Sequence, residues 1–402
     1  MITSYSSSNT ECVPEKTLNI TSPDNVSKLL YKDAERIIIT IVYPILLFIG
    51  LLGNTAFLYM MVRIHRMRTI TNIYLMNLAL ADIGFLSMAV GEKLGRYLAS
   101  PLDGDQYSIG LAGCLIIYTF TNTCYFASLY LITMVTVEKY YAICRPVKHR
   151  LIASINRSIK LAILGWIVAV CFACFIIPTY SNFETICLSW PPNGQYDYLP
   201  GIYGACAAVD EWVINYGNGL QTVPFFLALI FNVLMYIRII QTLTRRARIL
   251  PAAISSGMEC KTTTTGHVMN AERIKIRNQV TVMIVITGTA FFICLAPHQG
   301  ASLTRMITGA LETQLLTQQQ LETLLYVGRV LTYLNSAINP YIYHITNSRY
   351  RQCFREAFWC WSVYDQKCKN RDTLCSEGSS SHSLQERVGS TTDGGLDFES
   401  PN

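Results

Sequence analysis

The sequence predicts an all-α membrane protein, a bundle of seven transmembrane helices followed by an amphipathic eighth. Three observations predict it. Of 402 residues, 51% are hydrophobic and only 14% charged, with mean hydropathy +0.30, whereas a soluble globular chain carries about 25% charged residues. Seven apolar runs, at 37–62, 72–98, 111–143, 158–178, 213–243, 278–307 and 321–345, reach the ~20 residues that a span needs. Basic residues follow the odd-numbered runs: Arg63, Arg66 and Arg68; Arg145, Lys148 and Arg150; Arg245, Arg246, Arg248, Lys261, Arg273, Lys275 and Arg277; Arg349, Arg351 and Arg355. No Lys or Arg lies between Pro178 and Ile237, where Glu184, Asp197, Asp210 and Glu211 do. Under the positive-inside bias the N-terminus is extracellular and the C-terminus cytoplasmic. The net charge of +6 then belongs to cytoplasmic loops and not to a nucleic-acid surface.

Residues 1–36 are polar and lack an apolar signal-peptide region, and read as an extracellular tail. Asn19-Ile-Thr21 and Asn25-Val-Ser27 are acceptor patterns for N-glycosylation at Asn19 and Asn25. The bundle is expected over 37–346, an interfacial helix over 347–360, and a disordered cytoplasmic tail over 361–402.

Run one carries Gly50-Leu-Leu-Gly-Asn54, small residues that allow close helix approach beside a polar group needing a partner. Run two carries Asn77-Leu-Ala-Leu-Ala-Asp82, and a carboxylate in mid-membrane marks function. Run three opens at Cys114, holds Ser128 and ends with Glu138-Lys139-Tyr140 and Pro146-Val147. Run four holds Trp166 and stops at Pro178. The loop after it contains Cys187, Cys206 and the turn signal Pro191-Pro-Asn-Gly194. It reads as a β-hairpin, and a disulfide from Cys114 into this loop is allowed. Cys124, Cys171, Cys174 and Cys294 lie in spans, as small hydrophobes.

Run six contains Phe291-Phe-Ile-Cys-Leu-Ala-Pro297-His298, with a kink expected at Pro297. Run seven ends Tyr333-Leu-Asn-Ser-Ala-Ile-Asn-Pro-Tyr-Ile-Tyr343. Asn335, Ser336 and Asn339 are costly in hydrocarbon unless they face partners, and Pro340 bends the helix. Next, Tyr350, Phe354 and Phe358 recur at i, i+4, i+8 opposite a basic face, the pattern of a helix lying in the membrane interface. Cys360 and Cys368 are candidate palmitoylation sites, and Ser379–Ser383 a candidate phosphorylation cluster.

Gly53-Asn54, Leu78-Ala-Leu-Ala-Asp82, Cys114, Glu138-Lys-Tyr140, Trp166, Pro297 and Asn339-Pro-Tyr-Ile-Tyr343 occur in the order and on the spans of the rhodopsin-like G-protein-coupled receptors. The chain resembles that family over about 37–360. The resemblance implies an allosteric sodium ion among Asp82, Ser128, Asn335, Ser336 and Asn339, and no other cofactor. It implies an outward swing of helix six about Pro297 on activation, with Tyr343 turning inward. It implies Val147 entering a heterotrimeric G protein, with arrestin and membrane lipids as further partners and the plasma membrane as location.

Three departures stand out. Lys139 replaces the family arginine and lacks its planar fork of donors. Leu295 replaces the usual helix-six tryptophan, which leaves Phe291 to transmit. Pro224 and Tyr236 are twelve apart, where the family has eight. Tyr236 is the inner tyrosine by depth, which favours Cys206 over Cys187 as the partner of Cys114.

The ligand class follows by comparison with the family. Tyr118-Thr-Phe-Thr-Asn-Thr123 lacks the carboxylate of an amine receptor, and no lysine lies between Leu321 and Tyr343 for a retinal Schiff base. The outer pocket is expected to hold Glu92, Lys93, Thr121, Asn122, His298, Arg305, Arg329 and Tyr333, mixed charges that suit an extracellular peptide. Arg329 is expected to donate hydrogen bonds to a peptide carbonyl or C-terminal amide. The stretch Arg329–Pro340 is similar to thyrotropin-releasing-hormone receptors, then to neuromedin-U and ghrelin receptors. These branches point to coupling through phospholipase C and calcium. Alternatives are a constitutively active or non-peptide receptor of the same fold, and a seven-helix transporter or channel using Asp82 as a relay. An enzyme is not expected: the six histidines form no nucleophile–base or metal-spaced set.

Overall fold

The structure, a computed structural model, describes residues 17–192, 194–255, 264–311 and 314–359, with side chains described except at 246–255, 264–278 and 359. Cys360, Cys368, Lys261 and Ser379–Ser383 lie outside the described residues. Residues up to Tyr350 form one unit and those from Arg351 a second.

The first span is a continuous helical rod. α2 (Asp33–Ile37) runs through a widened π turn at Ile38–Val42 into α3 (Tyr43–Arg63). Pro44 explains the turn: it has no N–H, and its ring clashes with the carbonyl four residues back, so one residue is let out of register. α4 (Ile70–Ala99) starts at Thr69, whose hydroxyl accepts from the Asn72 N–H at 3.4 Å. α5 (Gly110–Cys144) is followed by the short α6 (Pro146–Ile152), begun by a proline at the position where its missing N–H is harmless. α7 (Ile155–Ile176) ends just before Pro178. α8 (Glu211–Ser255) and α9 (Thr264–Leu311) extend well past the apolar runs that predicted them. α10 (Gln318–Thr346) opens with a Thr317/Gln320 capping box.

Six of these helical segments are long and apolar enough to cross a membrane: Asp33–Arg63, Ile70–Ala99, Gly110–Cys144, Ile155–Thr179, Glu211–Arg245 and Gln279–Leu311. α10 is long enough at 29 residues but carries Glu322, Arg329, Asn335, Ser336 and Asn339. It is packed between α9 and α3, and its Asn335, Ser336 and Asn339 are buried against protein. The Asn54 amide donates to the carbonyls of Gly50 at 2.9 Å and Ser336 at 3.0 Å. A Cβ on Gly50 would come within 2.3 Å of Leu86 Cδ1 and 3.3 Å of the Ala337 Cα, so α3 approaches α4 and α10 closely there. Trp166 donates from its indole to Asn77 at 3.0 Å, tying α7 to α4.

Outside the helices, β2 (Asn182–Ser189) and β3 (Ile202–Ala207) pair antiparallel, the hairpin expected around the Pro-Pro-Asn-Gly turn. The segment expected as a plain tail carries β1 (Thr17–Asn19), which adds to β2 in parallel, and α1 (Pro23–Leu29). Ile20, Val26, Leu102, Leu188 and Leu199 form a small buried cluster there, and the Asp103 N–H donates to the Leu29 carbonyl at 2.8 Å. Burial, with the nearby Glu35 carboxylate, raises the Asp103 pKa. Asn19 and Asn25 are both exposed. A disulfide joins Cys114 to Cys206. Cys187 is bonded in a different disulfide, so the alternative Cys114–Cys187 pairing is excluded. Hairpin register gives the reason: Cys206 faces Phe183 across the ladder and Cys187 faces Ile202, so the two cysteines lie at different places along it.

In the second unit, Phe354 and Phe358 of α11 (Ser348–Trp359) stack at 5.9 Å on one side of the helix, as the i, i+4 pattern predicts.

Candidate functional site

A cavity of about 450 Å³ opens at the outer end of the bundle. Glu92, Thr121, Asn122, His298, Arg305, Arg329 and Tyr333 all line it, as does Lys93. Leu295, in place of the family tryptophan, contributes to its lining and is itself 3% exposed.

The charges are not evenly placed. Glu92 is buried and fully engaged: Arg96 Nη1 lies 2.6 Å from Oε1, Lys93 Nζ 2.9 Å from Oε2, and the Tyr118 hydroxyl donates at 3.1 Å. Arg96 also donates to the Asp105 carbonyl at 2.8 Å. Sequence reading missed Arg96, although Glu92 and Arg96 stand at the i, i+4 spacing of a helical ion pair. Arg329 has no such partner. Among the described residues it makes no ion pair, and its guanidinium sits 5.6 Å from the Tyr326 ring centroid. Arg305 likewise makes no ion pair among the described residues. Tyr333, one turn below Arg329, is 3% exposed and packs edge-on against Tyr43 and Phe85. Asn122 accepts from Gln221 at 2.8 Å, and the Thr121 hydroxyl is used on the Ile117 carbonyl at 2.7 Å. The cavity therefore offers one engaged acid and two arginines, Arg305 and Arg329, that make no ion pair among the described residues.

Deeper in the bundle, Asp82, Ser128, Asn335, Ser336 and Asn339 are all buried. The Asn339 amide donates to Asp82 Oδ2 at 2.8 Å. Among the described residues, Asp82 Oδ1, Asn335 Oδ1 and Asn339 Oδ1 have no hydrogen-bond partner. Such orphaned acceptors are costly, and an all-oxygen set around one carboxylate has the character that a hard cation needs. The donor set fits sodium.

At the inner end, Lys139 is buried and held by two neighbours. Its ammonium lies 2.8 Å from Glu138 Oε2 and donates to Thr71 Oγ1 at 2.5 Å, while Thr71 donates to Glu138 at 3.0 Å. His149 Nε2 lies 3.4 Å from Glu138 Oε1. Tyr236 shares a hydrogen bond with Thr136 at 3.0 Å and is buried. Tyr343 is 1% exposed, packed against Phe57 and Tyr350. Phe291 is buried against Phe292, which in turn meets Phe225. Pro297 and Pro340 lie inside α9 and α10. Val147 is 74% exposed.

The profile of the 7 transmembrane receptor (rhodopsin family) matches residues 53–343. The chain is 24% identical to the pyrokinin-1 receptor of Drosophila melanogaster, over 84% of this chain and 83% of that one. It is 26% identical to the thyrotropin-releasing hormone receptor of Gallus gallus, over 84% and 82%. It is 26% identical to neuromedin-U receptor 2 of Rattus norvegicus, over 80% and 76%.

Proposed function

The chain belongs to the rhodopsin family of seven-transmembrane receptors, and from that membership we propose that it is a receptor for an extracellular peptide and signals to a heterotrimeric G protein. Arg329 carries the peptide reading: a permanently charged fork of donors in the outer cavity, with no ion-pair partner among the described residues. An ionised group at that depth is stabilised only by acceptors, and peptide carbonyls or a C-terminal amide provide them in planar, bidentate form. Relatives named for pyrokinin, thyrotropin-releasing hormone and neuromedin U support the same reading. An amine ligand would need a free carboxylate, and Glu92 is already engaged.

Asp82, Asn335 and Asn339 present free oxygens that would hold a sodium ion, with Ser128 and Ser336 beside them. A bound sodium ion would supply the counter-charge that Asp82 lacks. The chain's own residues hold the resting state at the inner end, where Glu138, Lys139 and Thr71 form a closed triangle of contacts. That triangle favours a quiet receptor over a constitutively active one. Agonist binding favours a second arrangement by its differential affinity: α9 moves about Pro297, Tyr343 and Tyr236 reorient, and the exposed Val147 meets the G protein on the cytoplasmic side. Arrestin uses the same opened face. The positive-inside bias of the basic loops supports a cytoplasmic position for that face and an extracellular one for the folded N-terminal segment. The test is agonist-stimulated nucleotide exchange on G protein in membranes holding wild type or Arg329→Ala. Loss of potency in the variant at equal receptor density supports the reading; equal potency removes Arg329 from it.

A further inference from the structure

Cys187 holds a disulfide bond, and elimination narrows its partner. Cys114 and Cys206 are bonded to each other, and Cys124, Cys144, Cys171, Cys174, Cys294 and Cys353 are thiols. Of the fourteen cysteines, five lie outside the described residues: Cys12, Cys260, Cys360, Cys368 and Cys375.

Four of the five follow the chain to the wrong end of the bundle. α8 leaves the hairpin at Glu211 and runs for 45 residues, about 67 Å at 1.5 Å per residue. Cys260 comes five residues after its far end, a reach of about 18 Å at most, so it falls well short of the hairpin. Cys360, Cys368 and Cys375 come after α10. The 29 residues of that helix carry the chain away from the end where Arg329 and Cys206 line one cavity. The bilayer that the bundle crosses separates all four from Cys187.

Cys12 belongs to the right end. β1 begins at Thr17, whose Cα is paired with that of Cys187 in the parallel ladder. Cys12 precedes Thr17 by five residues, about 18 Å of chain when extended, and Pro14 lies between them as a turn residue. That is enough chain to fold back and bring the two Cα atoms within the ~4.4–6.8 Å that a disulfide needs. The strand also needs a tie. β1 has three residues, all exposed, and β2 comes four membrane spans later in the chain, so loop closure opposes their pairing. The apolar contacts that hold the segment are few, Ile20 and Val26 among them.

We propose that Cys12 is the partner of Cys187, so that a second disulfide staples the amino-terminal segment to the hairpin. With Cys114–Cys206 it ties the sheet covalently on both sides, β2 to the segment that carries β1 and β3 to α5. The bond forms by thiol–disulfide exchange: the two thiols give up two electrons and two protons, and a protein disulfide of the secretory pathway accepts them and becomes a dithiol. The assignment rests on chain geometry and not on the peptide-receptor reading.

The test maps disulfides in the full chain, purified in detergent and alkylated in SDS without reductant. Trypsin frees Met1–Lys16, which holds Cys12 and no other cysteine, and chymotrypsin cuts at Tyr196, Tyr198 and Tyr203, between Cys187 and Cys206. The expected product is a fragment joining Cys12 to Cys187 that reduction splits. In Cys12→Ser, Cys187 is alkylated; in wild type it is not. Hydrogen exchange over Thr17–Leu29 reads the staple itself: protection is lost in Cys12→Ser and equally in Cys187→Ser. Cys12 recovered alkylated, Cys12 joined to a second chain, or Cys187 joined to any other cysteine overturns the assignment. Wild-type protection in both variants overturns the staple. The mapping is done on wild type, so it stands even where a variant fails to fold.

Discussion

A guanidinium inside a membrane bundle is costly unless something accepts its hydrogen bonds. Arg96 meets that demand with Glu92 and a backbone carbonyl; Arg329 meets none of it with a carboxylate among the described residues. The two arginines therefore respond differently to substitution. Arg329→Ala should lower peptide potency about 10- to 100-fold, the worth of a charge-assisted hydrogen bond, with little loss of thermal stability. Glu92→Gln should instead destabilise the receptor, because it leaves Lys93 and Arg96 buried without their counter-charge, at a cost on the order of 3–5 kcal/mol. A thermal-shift assay in detergent separates the two: a destabilised Arg329→Ala would mean that its role is structural. Asp82 makes the third case. Asp82→Asn should abolish any sodium dependence of agonist affinity, and a sodium response that survives in the variant would place the ion elsewhere. At this scale much was legible. The charges of the cavity and the polar cluster of α10 stand out from apolar runs. The Lys139–Thr71 contact did not, because it joins residues 68 apart and no local pattern announces it.

Elements were legible where their signals were long or strongly punctuated. Runs of twenty or more apolar residues place every span, and Pro-Pro-Asn-Gly places the hairpin between β2 and β3. The rest depended on packing. β1 and α1 hold themselves in place with a few apolar side chains, Ile20 and Val26 among them, too sparse for a periodic signal. α8 and α9 overrun their apolar cores because helix continues into polar residues once packing has nucleated it. The disulfide between Cys114 and Cys206 ties α5 to β3. Cys206→Ser should therefore abolish surface expression or ligand binding, read by antibody staining of intact cells. Cys187→Ser leaves that bond in place and should spare the α5 tether. Equal loss from both variants would mean that the loop needs both bonds to fold.

For the molecule as a whole, the proposed function links three tiers: a cavity with two arginines that make no ion pair among the described residues, a buried cluster of polar oxygens around Asp82, and a triangle of Glu138, Lys139 and Thr71. In the proposed function the triangle keeps the resting state, with Lys139 in the place of the family arginine. Thr71→Ala removes one corner and should raise basal signalling; a variant as quiet as wild type would show that the Glu138–Lys139 pair alone is sufficient. A transporter reading of Asp82 has no support at this scale, because the family is one of signalling receptors. The most direct test of the central claim is a calcium-mobilisation screen of cells expressing the chain against a library of amidated neuropeptides, with basal signal recorded and Arg329→Ala run in parallel. The predicted result is low basal signal, a peptide that elicits calcium release through the wild type, and a right-shifted response in the variant. Silence toward every peptide, with surface expression verified, would contradict the account.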